Sequence, residues 1–141
     1  MLTIFFAATA SSLVYNMHRV AKFKSHVYMF RDIHAVRTWY YDLLDDISII
    51  INKFIADNSI TKTIIYGGSL GGYAALYMSA FVDNAICFSY SPQTFNLRNN
   101  NVTFSDDITN FYKKTTSSIT NLYDFIASKP NNSKRYITWI I

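Results

Sequence analysis

The chain opens on an unbroken apolar run, Leu2 to Ala8, whose length and Ile/Phe content predict a strand buried on both faces. Ser11 and Ser12 then offer an N-cap for a helix through about Lys22. A second short strand is expected from His26 to Arg31, and a polar, aromatic loop from Asp32 through Tyr41. From Asp42 the apolar positions Leu43, Leu44, Ile47, Ile50, Ile51, Phe54 and Ile55 recur with a helical period and give a wide apolar face. Asp42, Asp45 and Asp46 fall in its first turns, where carboxylates complement the helix dipole. Thr61 to Tyr66 is β-branched and apolar, a third strand; a glycine cluster follows, and Tyr73 to Phe81 continues as a small-residue helix. Asn84 to Tyr90 reads as a fourth strand, ended by Ser91-Pro92. Beyond a polar, Asn-rich stretch over residues 93–115, Ser117 to Ser128 reads as a helix, and Arg135 to Ile141 as a fifth strand.

Strands alternating with helices predict an α/β fold: a three-layer sandwich around a mostly parallel five-stranded sheet, joined by right-handed crossovers. No repeat or linker divides the chain, so residues 1–141 are read as a single domain. In such a sheet ligands bind beyond the carboxyl ends of the strands. That rule selects Ala8-Thr9, Asp32 to His34, Gly67 to Gly72 and Ser91 to Gln93 as one edge.

Glycine sharpens the choice. Average usage would give roughly ten in a chain of this length; there are four, all between positions 67 and 72. Tyr66-Gly67-Gly68-Ser69-Leu70-Gly71-Gly72-Tyr73 contains Gly-x-Ser-x-Gly between a predicted strand and a predicted helix, the pattern of a nucleophile elbow. At so sharp a turn the residues two before and two after the serine crowd each other, and Gly67 and Gly71 leave that space open. The turn lifts the Ser69 hydroxyl above the sheet edge, and the Leu70 amide points at the same spot. A second amide is expected from the loop after the first strand, near Ala8, completing an oxyanion hole whose donors are each worth about 3 kcal/mol. Rival glycine motifs fail: a P-loop needs Lys-Ser/Thr where Tyr73-Ala74 stands, and a dinucleotide fingerprint needs glycine in place of Ser69.

These residues resemble the α/β-hydrolase superfamily. Tyr66-Gly-Gly-Ser-Leu-Gly-Gly-Tyr-Ala-Ala-Leu-Tyr77 is similar to a bacterial hydrolase-like branch with Ser-Leu/Met-Gly-Gly-Tyr-Ala-Ala at its elbow. Thr3 to Ala8, Phe30-Arg31-Asp32 with Thr38-Trp39-Tyr40, and Phe88 to Gln93 extend the likeness over residues 2 to 95. The resemblance implies a partial α/β-hydrolase core, with Ser69 as nucleophile and the Leu70 and Ala8 amides as oxyanion donors. It also implies carboxylester hydrolysis or deacylation, with acylated saccharides among the substrates, since some members are associated with cell-surface polysaccharide. The superfamily order is Ser, then acid, then His, yet His18, His26 and His34 all precede Ser69. The chain therefore looks like the central part of a hydrolase, lacking the acid loop, the final strand and the histidine loop. His34 stands at the expected active edge, but the first strand separates its strand from the elbow strand, so it reads as a base reached by a bent loop or as a pocket-lining residue. Asp106 and Asp107 follow the fourth strand, where some hydrolases carry their acid, or else cap the next helix. The alternative to an enzyme is a catalytically incomplete module that binds without turnover.

The remaining features set bounds. The net charge of +4 reflects the absence of Glu more than any basic cluster, and pairs such as Lys113-Lys114 are too thin for nucleic acid. One cysteine, Cys87, excludes a disulfide framework and reads as a small core residue; no metal site or cofactor is expected. No apolar run reaches the roughly 18 residues of a membrane span, and Met1 to Ala10, which lacks a basic start, reads as strand rather than signal peptide. A cytoplasmic protein acting on a small-molecule or saccharide ester is the expectation, with the edge of the fifth strand open to homodimerisation. Trp39, Tyr40 and Tyr41 read either as a carbohydrate platform or as a lid over apolar core. Asn101-Val-Thr103 and Asn131-Asn-Ser133 are sequons of the kind an Asn-rich chain holds by accident.

Overall fold

In the computed structural model the described residues are 1–7, 24–31, 40, 43–92, 122–129 and 131–138. Five strands, β1 (Leu2–Phe6), β2 (His26–Phe30), β3 (Thr63–Gly68), β4 (Ala85–Tyr90) and β5 (Lys134–Thr138), form one sheet in the order β2-β1-β3-β4-β5. Every neighbouring pair is parallel, so the molecule is an α/β fold with each strand reached by a crossover. β1 sits second in the sheet and is buried throughout, which explains its unbroken apolar run. The register sets Phe6 beside Gly67, and Gly67 beside Ser89, so the ends of three central strands lie level at the carboxyl edge.

Three helices pack in contact on one face: α1 (Leu44–Asp57), α2 (Leu70–Met78) and α3 (Leu122–Ala127). α1 buries Leu44, Ile47, Ser48 and Ile51, an i, i+3, i+4, i+7 stripe, and places Asp45 and Asp46 in its first turn as expected. Leu43 and Ile50, counted in the apolar face on spacing, instead stand 44% and 50% exposed, because the buried stripe is narrower than their spacing suggests. α2 is buried at all nine positions. Its Leu76 and Met78 join Leu2, Ile4, Phe6 and Ile65 of the sheet in one core, where truncation of such a side chain typically costs about 2–5 kcal/mol.

Most element ends differ from the sequence expectation by one to three residues, α2 for example stopping at Met78 and not Phe81, and two of these differences bear on the site. β3 runs two residues further, through Gly68, and α2 begins at Leu70 rather than Tyr73. The weak helix propensity of glycine is overridden because Gly71 and Gly72 are where the helix meets the sheet. The opposite sheet face carries aromatic contacts: Phe5 with Tyr66, Tyr66 with Tyr90, and Phe88 with Tyr136. The helix expected from Ser11 to Lys22, Asp42, and the last three residues of the fifth strand lie outside the described residues. Among the described residues no helix is long and apolar enough to cross a membrane.

Candidate active site

The candidate site forms where β3 turns into α2. Ser69 is the single residue between them, with φ 51° and ψ −116°. A non-glycine residue held there costs of the order of 1–3 kcal/mol and persists only where its surroundings impose it. Two backbone bonds do so: the Ser69 amide donates to the Tyr90 carbonyl at 2.8 Å, and the Tyr73 amide donates to the Ser69 carbonyl at 3.1 Å. Ser69 is half-buried and its side chain caps nothing in the helix. The hydroxyl is thus not spent on α2, whose first-turn amides have no partner within the helix. Leu70, the first residue of α2, supplies one of those amides.

The glycines explain how the turn fits. A Cβ on Gly67 would overlap the Gly71 carbonyl and sit 2.9 Å from the Gly72 nitrogen. This is the crowding expected between the residues flanking Ser69 at two positions, although it is not reciprocal. A Cβ on Gly71 would instead overlap the Phe6 carbonyl and lie 3.2 Å from the Ala7 carbonyl carbon. Gly71 therefore lets α2 sit against the end of β1. Gly72 faces β4, where a Cβ would come within 2.9 Å of Ser89 Oγ and 3.1 Å of the Tyr90 carbonyl oxygen. Buried Ser89 donates to the Gly72 carbonyl at 3.0 Å and fastens that contact.

Ala7 is 2% exposed, and its amide donates to the Phe30 carbonyl at 3.0 Å. The Tyr40 hydroxyl shares its proton between the Ala7 carbonyl, at 2.7 Å, and the Phe30 carbonyl, at 3.0 Å. Tyr40 is fully buried with its ring edge-on to Phe6, so it braces the end of β1 and is no part of a carbohydrate platform. Sequence reasoning missed this role. The chain thus leaves β1 against the first turn of α2; Ala8, the expected second oxyanion donor, lies just outside the described residues, as do Trp39 and Tyr41.

The far end of α2 is held as firmly. Arg135 of β5 donates from Nε to Ser79 Oγ at 2.6 Å and from a terminal nitrogen to the Ser79 carbonyl at 2.9 Å. Asn131 donates to the same carbonyl at 2.8 Å and accepts from Arg135 at 2.9 Å. A cation at a helix carboxyl terminus complements its dipole. Asn131, half-buried with both ends of its amide engaged, serves this clasp, so its sequon is incidental. Burial lowers the pKa of Arg135 from its ordinary value, with the neighbouring Cys87 acting the other way. Cys87 is fully buried in β4, and burial pushes its thiol up to about 12, with Arg135 opposing, which is a core residue's behaviour and not a nucleophile's.

Of the three histidines, His26 is described; it starts β2, paired with Leu2 at the amino edge of the sheet, its exposed ring against Phe54. Thr63 shares that level, and Ser69 lies six residue steps further along the strand, about 20 Å away. His26 therefore cannot serve Ser69. His18, His34, Asp106 and Asp107 lie outside the described residues. Asp45 accepts the Tyr77 hydroxyl at 2.6 Å; burial first and Asp45 second raise the pKa of Tyr77, and the pair ties α1 to α2. Among the described residues no three His, Cys or Asp side chains cluster as metal ligands would. A cleft of about 480 Å³ between Thr63, Val82, Asp83 and Asn84 lies at the amino end of the sheet, away from Ser69.

Comparison of the chain with protein-family models, with curated proteins and with solved structures gave no match.

Proposed function

We propose that the protein is a serine hydrolase of the α/β-hydrolase type, acting on carboxylic esters through an acyl-enzyme on Ser69. The observation that carries the reading is the backbone of Ser69. A strained serine stands alone between a central parallel strand and a fully buried helix, at the edge where such sheets bind ligands. In the proposed reaction the Ser69 oxygen adds to the ester carbonyl while a base takes its proton. The Leu70 amide, with the Ala8 amide as its partner, holds the oxyanion that forms. Collapse expels the alcohol, and water then cleaves the acyl-serine to release the acid and restore the hydroxyl. Acylated saccharides are the substrate class suggested by the resemblance of the elbow, and His34 is the candidate base in this chain. A single buried thiol suits a reducing, cytoplasmic setting.

One observation favours a second reading. Among the described residues no imidazole reaches Ser69, since His26 stands at the opposite edge. A module that binds esters at the turn without turning them over would share every feature described. An alkyl fluorophosphonate probe separates the possibilities. Labelling that maps to Ser69 and disappears in Ser69→Ala supports the nucleophile; an unlabelled wild-type chain eliminates it. If Ser69 is labelled, acetate release from a simple acetyl ester above the Ser69→Ala background distinguishes turnover from binding. His34→Ala then tests the base: loss of release with retained folding assigns the proton transfer to His34.

A further inference from the structure

Buried Ala7 follows the last pairing of β1 with β2, Phe6 beside Phe30. A buried carbonyl there needs a donor, and the Tyr40 hydroxyl supplies one at 2.7 Å. That bond also fixes a direction. The Ala7 amide donates to the Phe30 carbonyl, and the Tyr40 hydroxyl that meets the Ala7 carbonyl reaches the same Phe30 carbonyl at 3.0 Å. Both backbone polar groups of Ala7 thus face β2. On the other side of β1 stands β3, which runs into Ser69, and Phe6 is level with Gly67, two residues before that serine. A separate contact sets the depth of the Ala7 carbonyl. A Cβ on Gly71 would lie 3.2 Å from its carbon, so this peptide abuts the first turn of α2, where the Leu70 amide is. A peptide group is planar and trans, and its N–H points away from its carbonyl.

We infer that Tyr40 is a positioning residue of the oxyanion hole: by holding the Ala7 carbonyl towards β2, its hydroxyl turns the N–H of the same peptide, the Ala8 amide, towards β3 and the Ser69 turn. This rests on Ser69 being the nucleophile. The hydroxyl does more than aim the peptide. Hydrogen bonds in a chain polarise one another, so a donor on the carbonyl makes the N–H at the other end of the peptide a stronger donor to the oxyanion. Tyr40 touches no reacting atom and acts through the peptide alone.

Tyr40→Phe removes the hydroxyl and keeps the ring that packs on Phe6. The readout is the ratio of Ser69 labelling rates for an alkyl fluorophosphonate and for the fluorophosphonothioate with sulfur in place of the phosphoryl oxygen. With either reagent the Ser69 oxygen bonds to phosphorus, fluoride leaves and the serine proton passes to a base. Sulfur is the weaker acceptor, so only the oxygen reagent draws fully on the oxyanion donors. A purely structural role would slow both reagents alike and leave the ratio where it was. The positioning role predicts that the ratio falls about tenfold, less than the roughly 10²–10³ that a donor removed outright costs, because the amide is misdirected and not lost. That fall supports the role; an unchanged ratio in folded Tyr40→Phe overturns it and leaves Ser69 as nucleophile. Where Tyr40→Phe does not fold, wild-type protein decides. On phosphonylation of Ser69 the proton resonances of the Ala8 amide and of the buried Tyr40 hydroxyl should move downfield together, and a stationary pair overturns the role. A wild-type chain that neither reagent labels overturns both the role and the nucleophile.

Discussion

Gly67 and Gly68 are consecutive residues of one strand, and neither has a positive φ. Replacing either by alanine makes the same change to the unfolded chain, worth about 0.4–1 kcal/mol in favour of folding. The folded state distinguishes them. At Gly68 the new methyl finds ordinary contact at 3.9 Å, whereas at Gly67 it overlaps the Gly71 carbonyl, a backbone group fixed in the first turn of α2. Overpacking of this kind typically costs about 1–3 kcal/mol, and a backbone neighbour with no rotamer to change puts Gly67 at the upper end. Gly67→Ala should therefore be about 3 kcal/mol less stable than Gly68→Ala. In a chain of this size that separates their melting temperatures by about 10 °C. Urea denaturation followed by far-ultraviolet circular dichroism, with equal m-values for the two proteins, measures the difference directly. Equal stabilities within about 0.5 kcal/mol, the spread of ordinary surface substitutions, would refute the claim that the tight approach of Gly67 to Gly71 sets the turn.

Further outcomes follow from other contacts. Ser69→Gly relieves the positive φ and should stabilise the protein by about 1 kcal/mol net of the unfolded-chain entropy that glycine adds, seen as a higher urea midpoint, while abolishing fluorophosphonate labelling; an unchanged midpoint would limit the strain to that entropy, about 0.4–1 kcal/mol. Tyr40→Phe removes the hydroxyl that the buried Ala7 carbonyl accepts, and should cost about 1–3 kcal/mol, read by the same denaturation and accompanied by slower labelling of Ser69. Cys87 should resist a thiol reagent such as DTNB at pH 8 until the protein unfolds. Its thiol is pushed from an ordinary 9.0 up to about 12 by burial, so it is neutral in both states below pH 9. Between pH 9 and 12 the unfolded state ionises first, and stability should fall by up to about 1.4 kcal/mol per pH unit. Cys87→Ala should remove that share of the slope, and equal slopes in the two proteins would contradict the burial argument.

The strands were legible because a parallel sheet buries both faces of its central members, and β1 and β4 carry the apolar runs this requires. The placement of Ser69 was legible for a related reason: the glycines around it are the only residue type the turn accepts at Gly67 and Gly71. What could not be read is what depends on distant backbone. Nothing local to Tyr40 says that its hydroxyl will lie between the Ala7 and Phe30 carbonyls, so three adjacent aromatics could be read as a carbohydrate platform or as a lid over the core. Asn131 looked like part of a sequon because its partners, Ser79 and Arg135, meet it only through the fold. The reciprocal crowding expected of Gly67 and Gly71 proved one-sided because β1, far away in sequence, is the body against which Gly71 packs. The start of α2 at Leu70 was missed for the same reason, since helix propensity is a local quantity and the packing that overrides it is not.

The order in which the chain is made gives the clamped helix α2 a further meaning. A ribosome delivers Ser69 before the segments that hold its turn are all present. The Ser89 hydroxyl that secures Gly72 lies 17 residues further on from Gly72, and the Arg135 guanidinium that grips Ser79 lies 56 residues beyond Ser79. Until β4 has emerged, the Ser69 amide lacks the Tyr90 carbonyl that fixes its strained backbone. The nascent chain therefore carries Ser69 in a relaxed conformation, and the turn acquires its shape only when the later strands dock. The geometry of this turn is thus completed late, and a half-made chain lacks the contacts that hold Ser69 in it.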